Sequence, residues 1–119
     1  EAVDGSTDAA KKSLVSASEV ALACARAGVQ VLSKEQMAGS GLLIAADVNA
    51  VPPAGIEGLD VQANGDPLEA TNTVGIGPLA IGNVKYKVES GLFRRMIESE
   101  KAITLDFRDA FSLAREIAK

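Results

Sequence analysis

Asp47-Val48-Asn49-Ala50-Val51-Pro52-Pro53-Ala54-Gly55-Ile56 follows directly on the apolar run Leu42-Leu43-Ile44-Ala45-Ala46, and together they decide the fold. The apolar run reads as a buried strand, Leu42 to Val48, of the kind found inside parallel sheets. It ends on Asp-x-Asn and stops at two prolines, which fix φ and restrict the residue before them. The result is a rigid shelf carrying two polar groups. In open parallel sheets, ligands bind just beyond the carboxyl ends of the strands. Asp47 and Asn49 alternate with Val48, so both point to one side if the strand persists that far. An Asx turn that caps the loop is the competing reading.

Working outward, Val20-Ala21-Leu22-Ala23-Cys24 is a second small-apolar run, expected to be a strand covered on both faces. The stretch Ala25–Gly41 between the two runs is long enough for a crossover, so parallel pairing is expected. Within it Ser33-Lys34-Glu35-Gln36 has capping-box spacing, which predicts a short helix ending by Gly39 or Gly41. Gly28-Val29-Gln30-Val31-Leu32 reads as another strand by alternation, but it is very short. Upstream, Ser6 is the expected cap of a helix with Asp8 in its first turn and Ala10, Leu14 and Ala17 on its buried side.

Downstream, Gly55 to Pro67 is rich in turn formers, including Asn64-Gly65-Asp66-Pro67. Thr71 to Ile76 is β-branched and predicts a third strand. A long helix follows, with Val84, Val88, Leu92, Phe93, Met96 and Ile97 expected on one face and Lys85, Lys87, Glu89, Arg94, Arg95 and Glu98 on the other. Asp106 caps a terminal helix striped by Phe107, Ala110, Phe111, Ala114, Ile117 and Ala118. This alternation predicts a single unit over residues 1–119: an α/β layer with a mostly parallel sheet of three strands, flanking helices and C-terminal helices. One sheet edge is left without a partner.

The totals narrow the chemistry. The 119 residues are 47% hydrophobic and 24% charged, a globular balance, but only 3% aromatic, so Val, Leu, Ile and Ala must fill the core. A net charge of −4 argues against a nucleic-acid partner. No apolar stretch reaches the roughly 18 residues of a bilayer span, and no signal-peptide pattern is seen. A single cysteine, Cys24, rules out an internal disulfide and fits a reducing cytoplasm, the expected location. At a strand end Cys24 reads as a small hydrophobe. Histidine is absent, which removes Ser-His-Asp and Cys-His nucleophiles and the commonest metal ligand. No metal site is expected.

Gly75-Ile76-Gly77-Pro78-Leu79-Ala80 has the letters of a dinucleotide fingerprint between strand and helix. Pro78 lacks an amide that could cradle phosphate, and no second strand with a ribose-binding acid follows. The favoured reading is a tight strand-to-helix turn in which Gly75 and Gly77 admit another backbone; such a turn can still line a ligand site. Lys85 and Lys87 are expected to begin the long helix, against its dipole, which hints at an anionic ligand near Lys85.

The string Asp47-x-Asn49-Ala50-x-Pro52-Pro53-x-Gly55-Ile56-x-Gly58-x-Asp60, followed by Ile81-Gly82-x-x-Lys85-x-Lys87, resembles the bacterial methylene-tetrahydromethanopterin dehydrogenases. The likeness runs from about Ser16 to the carboxyl end. It implies half of a Rossmann-like sheet, the second half of an NADP- or NAD-binding domain, with the glycine-rich phosphate loop and most of the pterin domain lying before Glu1. It implies hydride transfer between a tetrahydropterin-bound one-carbon unit (methylene-tetrahydromethanopterin or methylene-tetrahydrofolate) and the nicotinamide. By the match Ala23, Cys24 and Ala25 border the nicotinamide end, Asp47 and Asn49 frame its side, Gly75 lines the cofactor site, and Lys85 is the catalytic candidate facing the pterin. Arg26 departs from the family's Thr-Ala-Gly-Ala turn and would recharge that channel. A dehydrogenase of another substrate would share the half-sheet but not the Asp47-to-Gly58 string. The remaining expectations are that these residues alone catalyse little or nothing, and that the open edge pairs with the missing half or a second copy. The rival reading is a non-catalytic half-Rossmann module that associates through that edge.

Overall fold

The computed structural model describes residues 2–69 and 71–118. They divide into two compact units, Glu1–Ala80 and Ile81–Lys119.

The first unit is a sheet with helices. Helix α1 (Asp8–Ser16) is capped by Thr7, whose hydroxyl accepts the Ala10 amide at 3.2 Å. Ser6 was the expected cap, but its own amide is bonded to Asp4 instead. The short α2 (Lys34–Met37) carries the capping box read from Ser33 and Gln36, and Gly39 follows with φ +69°, a conformation that side chains resist. Strands β1 (Val20–Ala23), β2 (Ile44–Asp47) and β4 (Val74–Ile76) run parallel, with Val20 opposite Ile44 and Ile44 opposite Val74.

The sheet has four strands, not three. Strand β3 (Asn64–Pro67) pairs antiparallel with β4, giving the order β1-β2-β4-β3. Its sequence, Asn-Gly-Asp-Pro, has no apolar residue and every position is exposed. Backbone pairing alone makes it a strand, so no hydrophobic period could announce it.

Ala23, Ala45 and Asp47 point inward from the sheet, over a core of Val15, Leu32, Met37, Leu42, Ile56, Leu59, Ala63 and Leu68. None of these is aromatic, as the composition required. The other face differs from expectation. Val20 and Leu22 of β1 are exposed, Leu22 by 69%, so the strand is covered on one face only.

The second unit contains most of α3 (Pro78–Glu98) and all of α4 (Phe107–Ile117). Asp106 caps α4 in a capping box with Asp109, as its position suggested. Val88 is buried, and Leu113 packs beside Gly91. Phe93, Ile97, Phe107 and Phe111, expected on buried faces, are exposed. At about 100° per residue, the run from Val84 to Ile97 covers more than half of the helix circumference. Only part of so wide a set can face one neighbour. Among the described residues no helix is long and apolar enough to cross a membrane.

Candidate functional site

Asp47 ends β2 and is 1% exposed. No cation meets it. Its Oδ1 accepts the Asn49 amide at 2.9 Å, and its Oδ2 accepts the amides of Gly55 at 2.6 Å and Ile56 at 3.3 Å. Three fixed N–H groups supply the hydrogen bonds a buried carboxylate requires. Asn49, also buried, works within the same loop. Its Oδ1 accepts the Val51 amide at 3.0 Å, while Nδ2 donates to the carbonyls of Val51 and Pro53 at 3.0 and 3.2 Å. The Pro52–Pro53 peptide bond is cis.

Two side chains thus bind a ten-residue loop from inside. The Gly55 carbonyl continues the lock, accepting the amides of Val31 and Leu32 at 2.7 and 3.0 Å. Leu32 then returns a carbonyl to the Glu57 amide at 3.0 Å. Both side chains do the loop-capping work that the sequence offered as the alternative to ligand contact.

What the lock presents outward is apolar. Val48, Ala50, Val51, Pro52 and Pro53 are exposed, above the buried Asp47 and Asn49. Beside them lies the end of β1: the Val48 amide donates to the Ala23 carbonyl at 3.2 Å, and a Cβ on Gly28 would be 3.8 Å from the Pro52 carbonyl oxygen. Ala23 is buried, while Cys24, Ala25 and Arg26 are exposed. Ala23, Cys24, Ala25, Asp47 and Asn49 therefore meet at one rim, the carboxyl end of the parallel strands. The rim offers small and aliphatic side chains with one cation, Arg26.

Gly75 and Gly77 serve packing. A Cβ on Gly75 would run into Leu59 and stand 3.0 Å from Leu68, and one on Gly77 would strike the carbonyl oxygens of Asp60 and Val61. The Gly77 amide donates to Ala63 at 2.7 Å and the Leu79 amide to Val61 at 2.9 Å. Pro78 has no amide. Two of the turn's amides are thus engaged with the protein and Pro78 has none, which favours the packing reading of the fingerprint letters over a phosphate cradle. Gly75 sits within β4, opposite Ala45, one residue short of the rim.

Lys85 belongs to the second unit and lies two turns into α3, which begins at Pro78 and not at Lys85, so the helix dipole no longer bears on it. It is exposed and stands 3.7 Å from Glu89, one helical turn on. Among the described residues no cluster of three or more acidic, cysteine or histidine side chains could hold a metal ion. An open pocket of about 390 Å³ between α1 and α2, lined by Asp8, Lys11, Gln30 and Gln36 among others, shares no residue with the rim.

Sequence reasoning passed over Gly55. A Cβ there would be 2.8 Å from Asp47 Oδ1, so the loop closes only around glycine. The signal was present as the glycine that follows the proline pair.

A mostly parallel, open sheet flanked by helices, with a locked ledge at its strand ends, defines the class: an open-sheet α/β protein. No family model matches the chain. It is 48% identical, over 98% of its length, to the NAD(P)-dependent methylenetetrahydromethanopterin dehydrogenase of Methylorubrum extorquens. It is 28% identical over the same share to the Bifunctional protein MdtA of that organism. The chain spans 40% of the length of each of these relatives. The likeness signalled by the Asp47-to-Gly58 string thus extends along nearly the whole sequence.

Proposed function

We propose that these residues form the nicotinamide-side wall of an NAD(P)-dependent methylene-tetrahydromethanopterin dehydrogenase, with methylene-tetrahydrofolate as the alternative substrate. The carrying observation is the 48% identity over 98% of the chain to a protein of that name. The enzyme would work in cytoplasmic one-carbon metabolism.

The rim fits one end of a dinucleotide and not the other. An exposed apolar ledge of Val48, Ala50 and Val51 suits the face of a ring, and the side chains of the neighbouring Ala23–Ala25 turn are small. In the Gly75–Ala80 turn the Gly77 and Leu79 amides are engaged and Pro78 has none, so the pyrophosphate would be held by residues outside this chain. When bound, the nicotinamide supplies the hydride chemistry. The protein's contribution is to hold two rings in register and exclude water, because hydride transfer needs no acid or base. Asp47 and Asn49 serve by fixing the ledge from within, which accounts for two buried polar residues beneath an apolar surface. Gly75 supports the sheet one residue behind the rim. Lys85 is assigned to the pterin, as a cation for its anionic portion.

A chimera tests this reading. Residues 1–119 replace the matching region of the Methylorubrum dehydrogenase, and hydride transfer from methylene-tetrahydromethanopterin to NADP and NAD is followed by absorbance. Retained activity is expected; a folded chimera without activity refutes the proposal. The 119 residues alone are expected to show little or no turnover.

One observation favours a second reading, association through the sheet edge. The β3 edge is blunted by Pro67, a register shift and Gly65 at φ +94°, whereas β1 has no such device and an apolar groove of Leu14, Val15, Ala21 and Leu32 lies along it. The blunted strand ends the sheet; the other is open to a further strand.

A further inference from the structure

The rim is built almost without charge. Beyond the carboxyl ends of β1 and β2 the chain runs uncharged, Arg26 excepted, until Leu32 and Ile56 meet in a parallel bridge. Residues 77–80, which leave β4, carry no charge either. Arg26 is thus the single cation placed where the parallel strands end. Its backbone is fixed. The Arg26 carbonyl accepts the Val29 amide at 3.2 Å, closing a four-residue turn in which Gly28 stands third with φ +77°. A positive φ at that position is what a type II turn requires, and glycine meets it without strain. The turn is held to the ledge on both sides. The Ala23 carbonyl accepts the Val48 amide, and a Cβ on Gly28 would be in van der Waals contact with the Pro52 carbonyl oxygen. The Arg26 side chain is exposed, and among the described residues its guanidinium makes no ion pair.

Beside a nicotinamide ring such a group acts through the sign of its charge. The oxidised ring is a cation; on gaining a hydride, two electrons and one proton, it becomes neutral. A fixed cation opposes the first form and is indifferent to the second. We propose that Arg26 biases the site toward the reduced nicotinamide. This rests on the dehydrogenase reading above and adds to it a preference between the two redox forms of the cofactor. Arginine keeps its charge at every working pH, so the bias does not titrate away.

Two other charges bear on the same ring. The Asp47 carboxylate lies beneath the ledge with both oxygens turned to loop amides. It has the opposite sign, but replacing Arg26 leaves it in place, so the change on substitution belongs to Arg26. The cofactor's own phosphates are anionic in both redox forms. An arginine that held them would strengthen both forms alike and leave their ratio unmoved. In magnitude, a unit charge acting across roughly 10 Å changes a binding ratio about twofold in water and about fifteenfold at an effective dielectric of 20.

Binding tests this in the chimera with the Methylorubrum dehydrogenase, without pterin. Calorimetry gives the dissociation constants of oxidised NADP and of NADPH, and their ratio, oxidised over reduced, is the readout. Arg26→Gln should lower that ratio about two- to fifteenfold, Arg26→Lys should hold it within about twofold of the parent, and Arg26→Glu should lower it further than Gln does. The Gln effect should shrink as salt is raised from about 0.01 to 1 M. A ratio unmoved in Arg26→Gln and Arg26→Glu overturns the proposal. Equal weakening of both forms would make Arg26 a phosphate contact, and no change in either would mean that its charge is neutralised within the full polypeptide. A parent chimera that binds cofactor and turns over keeps the dehydrogenase reading whatever the ratio does; a folded parent chimera that binds neither form removes both.

Discussion

Gly55 donates its amide to Asp47 Oδ2 at 2.6 Å, and a Cβ on Gly55 would lie 2.8 Å from the other carboxylate oxygen. The two residues are therefore one device: the carboxylate folds the loop back, and the glycine leaves room for the carboxylate. Asp47→Ala would leave three buried amides without an acceptor, a loss of roughly 3 kcal/mol or more. Gly55→Ala should cost about 1–3 kcal/mol through overpacking against Asp47. Urea denaturation of both variants checks these values. Because the residues act on the same contact, the double variant should lose less than the sum of the two.

Gly77 and Gly82 provide a contrast a few residues apart. A Cβ on Gly77 meets the backbone carbonyls of Asp60 and Val61, which cannot move without displacing the chain behind them. Gly77→Ala should destabilise by about 2–4 kcal/mol or prevent folding. Gly82 lies within α3 with nothing within 4 Å of its added Cβ. Gly82→Ala should stabilise by about 0.5–1 kcal/mol, since alanine restrains the unfolded chain and favours helix. Thermal melts of the two variants should shift in opposite directions.

The cap of α4 responds to pH. Arg108 holds the Asp106 carboxyl below the usual carboxylate range, its Nη2 lying 2.6 Å from Oδ2, and the Arg108 amide adds to the effect; Arg108 is pushed upward in turn. Asp106 binds a proton less readily folded than unfolded, so its contribution is full above the unfolded pKa of about 3.9 and is lost as pH falls through the lowered folded value. Amide exchange or NMR shifts in Phe107–Ile117 should show the helix loosening over that acidic window. Asp106→Asn should flatten the response without altering helicity at neutral pH by much, because asparagine also caps.

The parts of this fold that were legible in sequence are those where hydrophobic period and local capping agree. Strand β2, expected over Leu42 to Val48 and found at Ile44–Asp47, the Ser33 capping box and the Asp106 cap each satisfy a pattern that one segment contains by itself. Strand β3 satisfies none, since Asn64-Gly65-Asp66-Pro67 becomes a strand only because β4 lies beside it. The outward turn of Phe93 and Ile97 was hidden for a different reason: the apolar set on α3 is wider than any single neighbour can cover. At the rim, the spacing of Asp47 and Asn49 located the shelf but not its sense. Both residues point into the loop, and the surface they support is made by Val48, Ala50 and Val51. Polarity in a sequence marks where hydrogen bonds are needed, and here the loop itself needs them.

Lys85 separates function from stability. Its side chain is exposed and its ion pair with Glu89, at 3.7 Å, joins two solvated groups. Exposed pairs of this kind contribute about 0–1 kcal/mol at most, so Lys85→Ala should leave the melting temperature of the chain almost unchanged. In the chimera with the Methylorubrum dehydrogenase, the same substitution should lower kcat/KM for the pterin at least about tenfold, equivalent to roughly 1.4 kcal/mol of lost transition-state interaction. The effect should fall on KM for the pterin rather than on KM for the nicotinamide cofactor, because the proposed ring-facing rim is made by other residues. Lys85→Arg keeps the charge and should recover part of the loss. If Lys85→Ala leaves pterin kinetics intact, the lysine is a solvated helix residue and its assignment to the substrate is withdrawn, while the ledge and its ring-facing role stand on their own test.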